Sequence, residues 1–187
     1  MDASMYERAV EATRPVVHGT RPDQLGSTTP CPRWDVRKLL NHLIGGAALI
    51  AAADAGETVD YSNPPDFTSE DHAGEFDRNT KAAIEIFRAP GAMERTFELP
   101  WGQTPGNAAL GLLLSDMVVH GWDLARATGQ EFRVDDDIAE AIYGMTTSMM
   151  EPRGGFPRGD NFAPPVDVAD DAPAKDRMLA YLGRDPK

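Results

Sequence analysis

The stretch Ala108 to Val119, AALGLLLSDMVV, has only two polar residues, Ser115 and Asp116. A helix that is apolar nearly all round has to bury every face, so it belongs in the middle of a bundle. Its ends can be read from the flanking residues. Thr104 suits the N-cap, Pro105 the first helical position and Gly129 the stop. The rest of the chain must therefore supply elements that surround this helix.

Five further segments read as helical. The first covers Ala3 to Val17, with Met5, Ala9, Ala12 and Val16 as its apolar side and Pro15 disturbing its end. The second starts after Pro32; Val36, Leu39, Leu40, Leu43, Ile44, Ala47 and Ile50 form one stripe at helical period, and Gly56 is the stop. Residues 56–68 make a long Pro- and Asp-containing connection, of the kind that crosses over a fold or covers a site. Ser69 to Phe87 follows, with Phe76, Thr80, Ala83, Ile84 and Phe87 on one face; Thr96 to Leu99 reads as a short extended piece before a turn at Pro100–Gly102. Asp135 to Met150 is the next helix, opened by acids that suit its dipole. A Gly/Pro-rich loop over 151–172 leads to a short last helix from Pro173 to Leu182. There is no internal repeat, no βαβ alternation and no convincing set of strands. The expectation is an all-α bundle forming a single domain over residues 1–187, since the length is near the usual size of one domain.

Composition limits the partners. Hydrophobic residues are 41% and charged residues 26%, enough of each for an ordinary core and surface. The 18 basic and 30 acidic residues leave a net charge of −12, which repels phosphate backbones and anionic lipid. No nucleic-acid partner and no membrane association are expected. The start, MDASMYERAV, has no basic region followed by an apolar one, and a single cysteine, Cys31, suits a reducing cytoplasm.

Asp116 sits within the apolar helix, where an ionised carboxylate is costly unless paired. His120 lies one turn on, about 40° round the same side. His42 occupies the flank of the second helix shared by Leu39, Gly46 and Leu49, and Gly46 leaves room beside the imidazole. Two histidines and a carboxylate make a three-ligand set that leaves positions open for water or substrate; Zn²⁺, Ni²⁺ and Fe²⁺ all suit it. The same residues also fit a hydrogen-bonded Asp–His pair and a satisfied core histidine, with no metal at all.

The stretches TPCPRWDVRKLLNHLIGG (Thr29–Gly46) and DMVVHGWDLARATGQ (Asp116–Gln130) resemble the DinB/YfiT-like family. More narrowly, they are similar to the metal-binding domain of mycothiol-dependent maleylpyruvate isomerase and its short actinobacterial relatives. The tail from Asn161 to Pro186 resembles that short branch too. The resemblance implies a four-helix bundle in up-down-down-up order, here with extra short helices, and makes the 56–68 segment its crossover. It implies a divalent metal, zinc or nickel, on His42, Asp116 and His120. The isomerase has Glu at the acidic position, where this chain has Asp, one methylene shorter. It also has an additional C-terminal domain that contributes to its active site, for which 187 residues leave no room. Maleylpyruvate isomerisation is therefore not carried over. What the resemblance leaves is metal-assisted S-transfer or isomerisation with mycothiol or a similar thiol as cosubstrate, and an electrophilic small molecule as its partner. The alternatives are a non-catalytic metal or small-molecule binder acting in sensing or stress, and a structural bundle without metal. A homodimer is implied by the family alone.

The remaining reactive residues have plainer readings. Cys31, ahead of a helix start, is read as a packing residue rather than an activated thiol. Trp34 and Trp122 are read as core or rim aromatics, and His18 and His72 as solvent-facing. Asp123 is assigned a surface pair with Arg126, its alternative being an acceptor that orients a metal-binding imidazole. Arg153 and Arg158 can bind a carboxylate if their loop folds over the site. The acids at 135–137 are a helix start, since no EF-hand spacing follows.

Overall fold

The computed structural model describes residues 1–57, 64–150 and 162–187. Among these residues six α-helices and one hairpin follow in the order α1 (Ala3–His18), α2 (Val36–Asp54), α3 (His72–Arg88), β1 (Thr96–Leu99), β2 (Gly102–Pro105), α4 (Gly106–Thr128), α5 (Asp136–Met150) and α6 (Ala174–Tyr181). Three helices begin at aspartates whose side chains accept from a free backbone N–H of the first turn: Asp2 from Met5, Asp35 from Lys38 and Asp71 from Gly74. α4 is capped differently from the sequence expectation. Thr104 is paired in the hairpin opposite Phe97, and Pro105 is the N-cap. The N–H groups of Gly106 and Asn107 donate instead to the carbonyls of Arg95 and Met93. The hairpin thus replaces a capping side chain, and it adds two paired strands where only one extended piece was expected. The stop at Gly129 is as read, in the left-handed conformation at φ 71°.

α1, α4, α2 and α3 surround one core, each packed chiefly against two of the others. Contacts between them fix their directions. Glu7 meets Arg88 and Arg14 meets Asp77, so α1 and α3 are antiparallel. His42 meets Asp116, while Gly46, a turn later, lies beside Leu113, so α2 and α4 are antiparallel. Thr13 donates to the Met117 carbonyl, and Gln130, just past α4, reaches the Val16 carbonyl, so α1 and α4 run together. Asp66 and Thr68, ahead of α3, are tied to Arg37 at the start of α2, so those two also run together. The order is up-down-down-up, with the parallel pair α2 and α3 consecutive in the chain; α5 packs against α4 and α6 against α5.

The apolar stripe of α2 is buried as its periodicity predicts, and the α3 face is buried residue for residue. On α1 the buried face is turned from the expected one. Tyr6, Ala9, Val10, Thr13, Val16 and Val17 are inside, while Met5 and Ala12 are only partly covered. Tyr6 and Thr13 carry polar tips on the packed side, which hid the stripe. The helix also continues through Pro15 to His18. α4 is long and apolar enough to cross a membrane, but 78% of its most apolar window is buried inside the fold. It is the bundle's core helix.

Candidate functional site

The segment before α2 folds into a compact turn. The Thr29 hydroxyl donates to the carbonyls of Trp34 (2.8 Å) and Cys31 (3.1 Å), and the Trp34 N–H donates to the Cys31 carbonyl (3.0 Å). That turn aims Trp34 at the place where α2 and α4 face one another. The Trp34 ring lies 4.5 Å from the His42 ring and 5.2 Å from the His120 ring, centroid to centroid. The two imidazoles meet edge to face at 5.0 Å.

Asp116 stands between them. Its Oδ2 is 3.3 Å from His42 Nε2 and its Oδ1 is 3.8 Å from His120 Nε2. One donor atom from each of the three residues lies within 4.8 Å of the others. Periodicity on two separate helices therefore brought together the three side chains it singled out. Asp116 is deep in the bundle, yet 43% of its side-chain surface is accessible, because three cavities end on it. Burial would raise its pKa, but the charge and hydrogen bond of His42 and the charge of His120 hold it below the usual carboxylate value. Burial would likewise lower His42, and Asp116 reverses that to a net rise.

Behind His120 is a fully buried network. His120 Nδ1 is 2.9 Å from Asp123 Oδ2, and Arg184 donates to the same oxygen through Nη2 at 2.9 Å. Asp123 is 0% exposed, so its assignment to a surface pair with Arg126 is corrected: it orients an imidazole from behind. An acceptor at Nδ1 fixes the proton there and leaves the Nε2 lone pair turned toward Asp116 and His42. Burial would raise the Asp123 pKa, and His120 and Arg184 keep it low, so the carboxylate stays ionised. Arg184 was missed by the sequence reading. It lies 61 positions from Asp123, and no spacing rule joins a residue near the C-terminus to α4.

Cys31 belongs to this network. Its thiol donates to Asp123 (3.4 Å) and accepts from Arg184 (3.1 Å). Burial, then the Asp123 charge, push its pKa up to about 12, so it is a protonated packing group at neutral pH. The buried Tyr6 hydroxyl has no hydrogen-bond partner among the described residues; burial and the Asp116 charge raise its pKa, and it remains a neutral phenol. Trp34 forms the rim of the site, whereas Trp122 is buried. His18 faces solvent beside Asp77 as expected, but His72 does not. It is half-buried, with Nε2 3.2 Å from the Val17 carbonyl, because the crossover brings the start of α3 against the end of α1. Arg153 and Arg158 lie outside the described residues.

The cavities give this centre access. One of about 240 Å³ is lined by Cys31, Arg33, Trp34 and Phe162 and ends on all three central residues. Two others, of about 310 and 650 Å³, lie on either side of His42. Two imidazoles and a carboxylate, partly open and with one imidazole braced from behind, form a donor set suited to a divalent cation.

Comparison with known proteins agrees with this architecture. The chain is 34% identical over 185 residues to uncharacterized proteins from two strains of Mycobacterium tuberculosis, CDC 1551 / Oshkosh and H37Rv, covering 98% of this chain and 98% of each relative. No solved structure matches it. Residues 6–125, which include most of α1, all of α2 and α3, the hairpin, His42, Asp116, His120 and Asp123, match the family described as the mycothiol maleylpyruvate isomerase N-terminal domain. The chain belongs to that family.

Proposed function

We propose that the protein holds one divalent metal ion, zinc or nickel, on His42, Asp116 and His120, and that it transfers or rearranges groups on a small-molecule thiol of the mycothiol type in the cytoplasm. The observation that carries this reading is the braced imidazole. Asp123 and Arg184 fix the outer nitrogen of His120, so the inner one is presented to the same space as His42 and Asp116. A hydrogen-bonded Asp–His pair needs no such bracing and no open cavity beside it.

Bound there, a divalent cation supplies the charge that makes a thiol give up its proton near neutral pH. The chain's own residues do the rest. Trp34 limits rotation of both imidazoles, the ionised Asp123 keeps His120 in one tautomer, and the open cavities leave solvent able to take up a proton. In a transfer step the thiol loses its proton to solvent, and its sulfur forms a bond to an electrophilic carbon. The bond from that carbon to the leaving group breaks, and the leaving group takes the electron pair. Cys31 is not the nucleophile, because its thiol stays protonated and bonded to Asp123.

The test is metal content by elemental analysis on untagged protein. About one ion per chain in wild type, lost in Asp116→Ala and His120→Ala, is the expected result and opens a screen of thiols and electrophiles for turnover. No metal in wild type after incubation with zinc and nickel ends the reading and leaves a structural pair. Metal without turnover moves it to a metal carrier or sensor.

A further inference from the structure

Two adjacent glycines, Gly45 and Gly46, stand in the middle of α2, three and four residues past His42. A glycine in a helix interior is less favourable than alanine, because it loses more backbone freedom on folding. Neither conformation nor packing requires these two. Neither has a positive φ. A Cβ on Gly45 would meet only Phe67, at 3.7 Å, and one on Gly46 only Leu113, at 3.5 Å, both ordinary contacts. Gly121 differs, since a Cβ there would press on Thr13 and Phe132 at 2.6 and 2.8 Å. What Gly45 and Gly46 provide is empty space, and each opens a different cavity beside His42.

The Gly46 cavity, about 310 Å³, is walled by Leu49, Leu99, Trp101, Leu112 and Leu113, and its floor is His42 and Asp116. Those two are its only ionisable groups among the described residues. A charged or sugar-like ligand would lose its water there with nothing along the walls to replace it. Its volume is about twice that of a cavity that accepts benzene. Its mouth carries Trp101 and Leu112, 57% and 47% exposed, two of the three exposed large hydrophobics among the described residues. The Gly45 cavity is larger, about 650 Å³, and has a polar edge of Lys38, Asn41 and Asp66.

We propose that the Gly46 cavity binds the second substrate, an uncharged apolar organic molecule of up to three rings, or a chain of similar bulk, with its reactive end against His42 and Asp116. Its role as substrate site rests on the thiol-transfer reading; its capacity to bind does not. The apolar walls disfavour a polar thiol in this cavity.

The test uses the full chain and N-phenyl-1-naphthylamine, an uncharged fluorophore, titrated without thiol and both with and without chelator. Wild type is expected to show saturable binding near one per chain. Gly46→Leu should weaken it at least tenfold with helix content and metal content unchanged, while Gly45→Leu leaves it within twofold. Leu112→Arg, at an exposed position, should weaken it as well and serves where Gly46→Leu fails to fold. 8-Anilinonaphthalene-1-sulfonate, the charged counterpart, should bind at least tenfold more weakly. No saturable binding in wild type, equal affinity for the sulfonate, or a loss confined to Gly45→Leu overturns the assignment. Probe binding that responds to Gly46→Leu in a protein that takes up no metal retains the cavity and defeats the thiol reading. Metal uptake with binding unchanged by Gly46→Leu and Leu112→Arg does the reverse.

Discussion

Asp123 and Arg184 are 0% and 3% exposed at their side chains, and their charges face each other where water does not reach. Removing one partner of such a pair leaves the other charge buried without compensation, which costs about 3–5 kcal/mol. Asp123→Asn is therefore expected to lower unfolding stability by about 3 kcal/mol, read from urea denaturation. Removing both charges is less harmful than the sum of the single losses, so Asp123→Asn with Arg184→Leu should fall well short of additivity. Additive losses, or a loss below about 1 kcal/mol in Asp123→Asn, would show that the pair is not the unit described. At this scale the sequence was readable where helical period places a side chain and opaque where an irregular segment supplies the partner. Asp116 and His120 are one turn apart, and their shared face follows from helical period alone. Asp123 is only three residues further along α4, but its environment is made by Arg184 and Cys31, from opposite ends of the chain. Pairing it with Arg126 used local spacing where a distant partner had the stronger hold.

The helices were legible as elements because hydrophobic pattern is a local property: α2 and α3 follow the helical period closely, and α4 is apolar nearly all round. The hairpin was less so: its two four-residue strands gain their meaning from pairing with each other and from offering carbonyls to α4. Close approach between elements left a different trace. Gly121 lets α4 meet α1 at Thr13, whose hydroxyl donates to the Met117 carbonyl at 3.0 Å. A methyl group there meets Thr13 Oγ1 at 2.6 Å and Phe132 at 2.8 Å, so both must give way. Gly121→Ala is expected to destabilise the bundle by about 1–3 kcal/mol, as overpacking does, measured by thermal or urea unfolding. Thr13→Ala in the same chain should recover part of that loss, because it clears one of the two obstacles. A Gly121→Ala protein as stable as wild type would mean that α1 and α4 can separate freely at this point, and that the glycine has no packing role.

At the scale of the whole molecule, the up-down-down-up order demands that the chain, once α2 is complete, return along it before α3 begins. The length and Pro/Asp content of the 56–68 segment signalled that return, but not what anchors it. The anchor is Asp66. Its Oδ1 accepts from the Thr68 hydroxyl at 2.6 Å, the Thr68 N–H at 3.0 Å and Asn41 at 3.0 Å, while its Oδ2 faces Arg37 at 3.2 Å. The Phe67 N–H adds a bond to Asn41 at 2.7 Å, and Phe67 in turn closes the cavity beside Gly45. The Thr68 and Asn41 hydrogen bonds hold the Asp66 pKa down at about 2, below the ~3.9 of an unfolded aspartate. A depressed folded pKa gives stability that is complete above ~4 and is lost as pH falls toward 2, because the unfolded chain then takes up the proton first. Urea midpoints for wild type and Asp66→Asn should accordingly be furthest apart near pH 6 and converge by pH 2. A gap of constant size over that range would mean that the carboxylate's charge does not hold the crossover. Parallel α2 and α3 would then depend on apolar packing alone, and the wall of the larger cavity would keep its shape in acid.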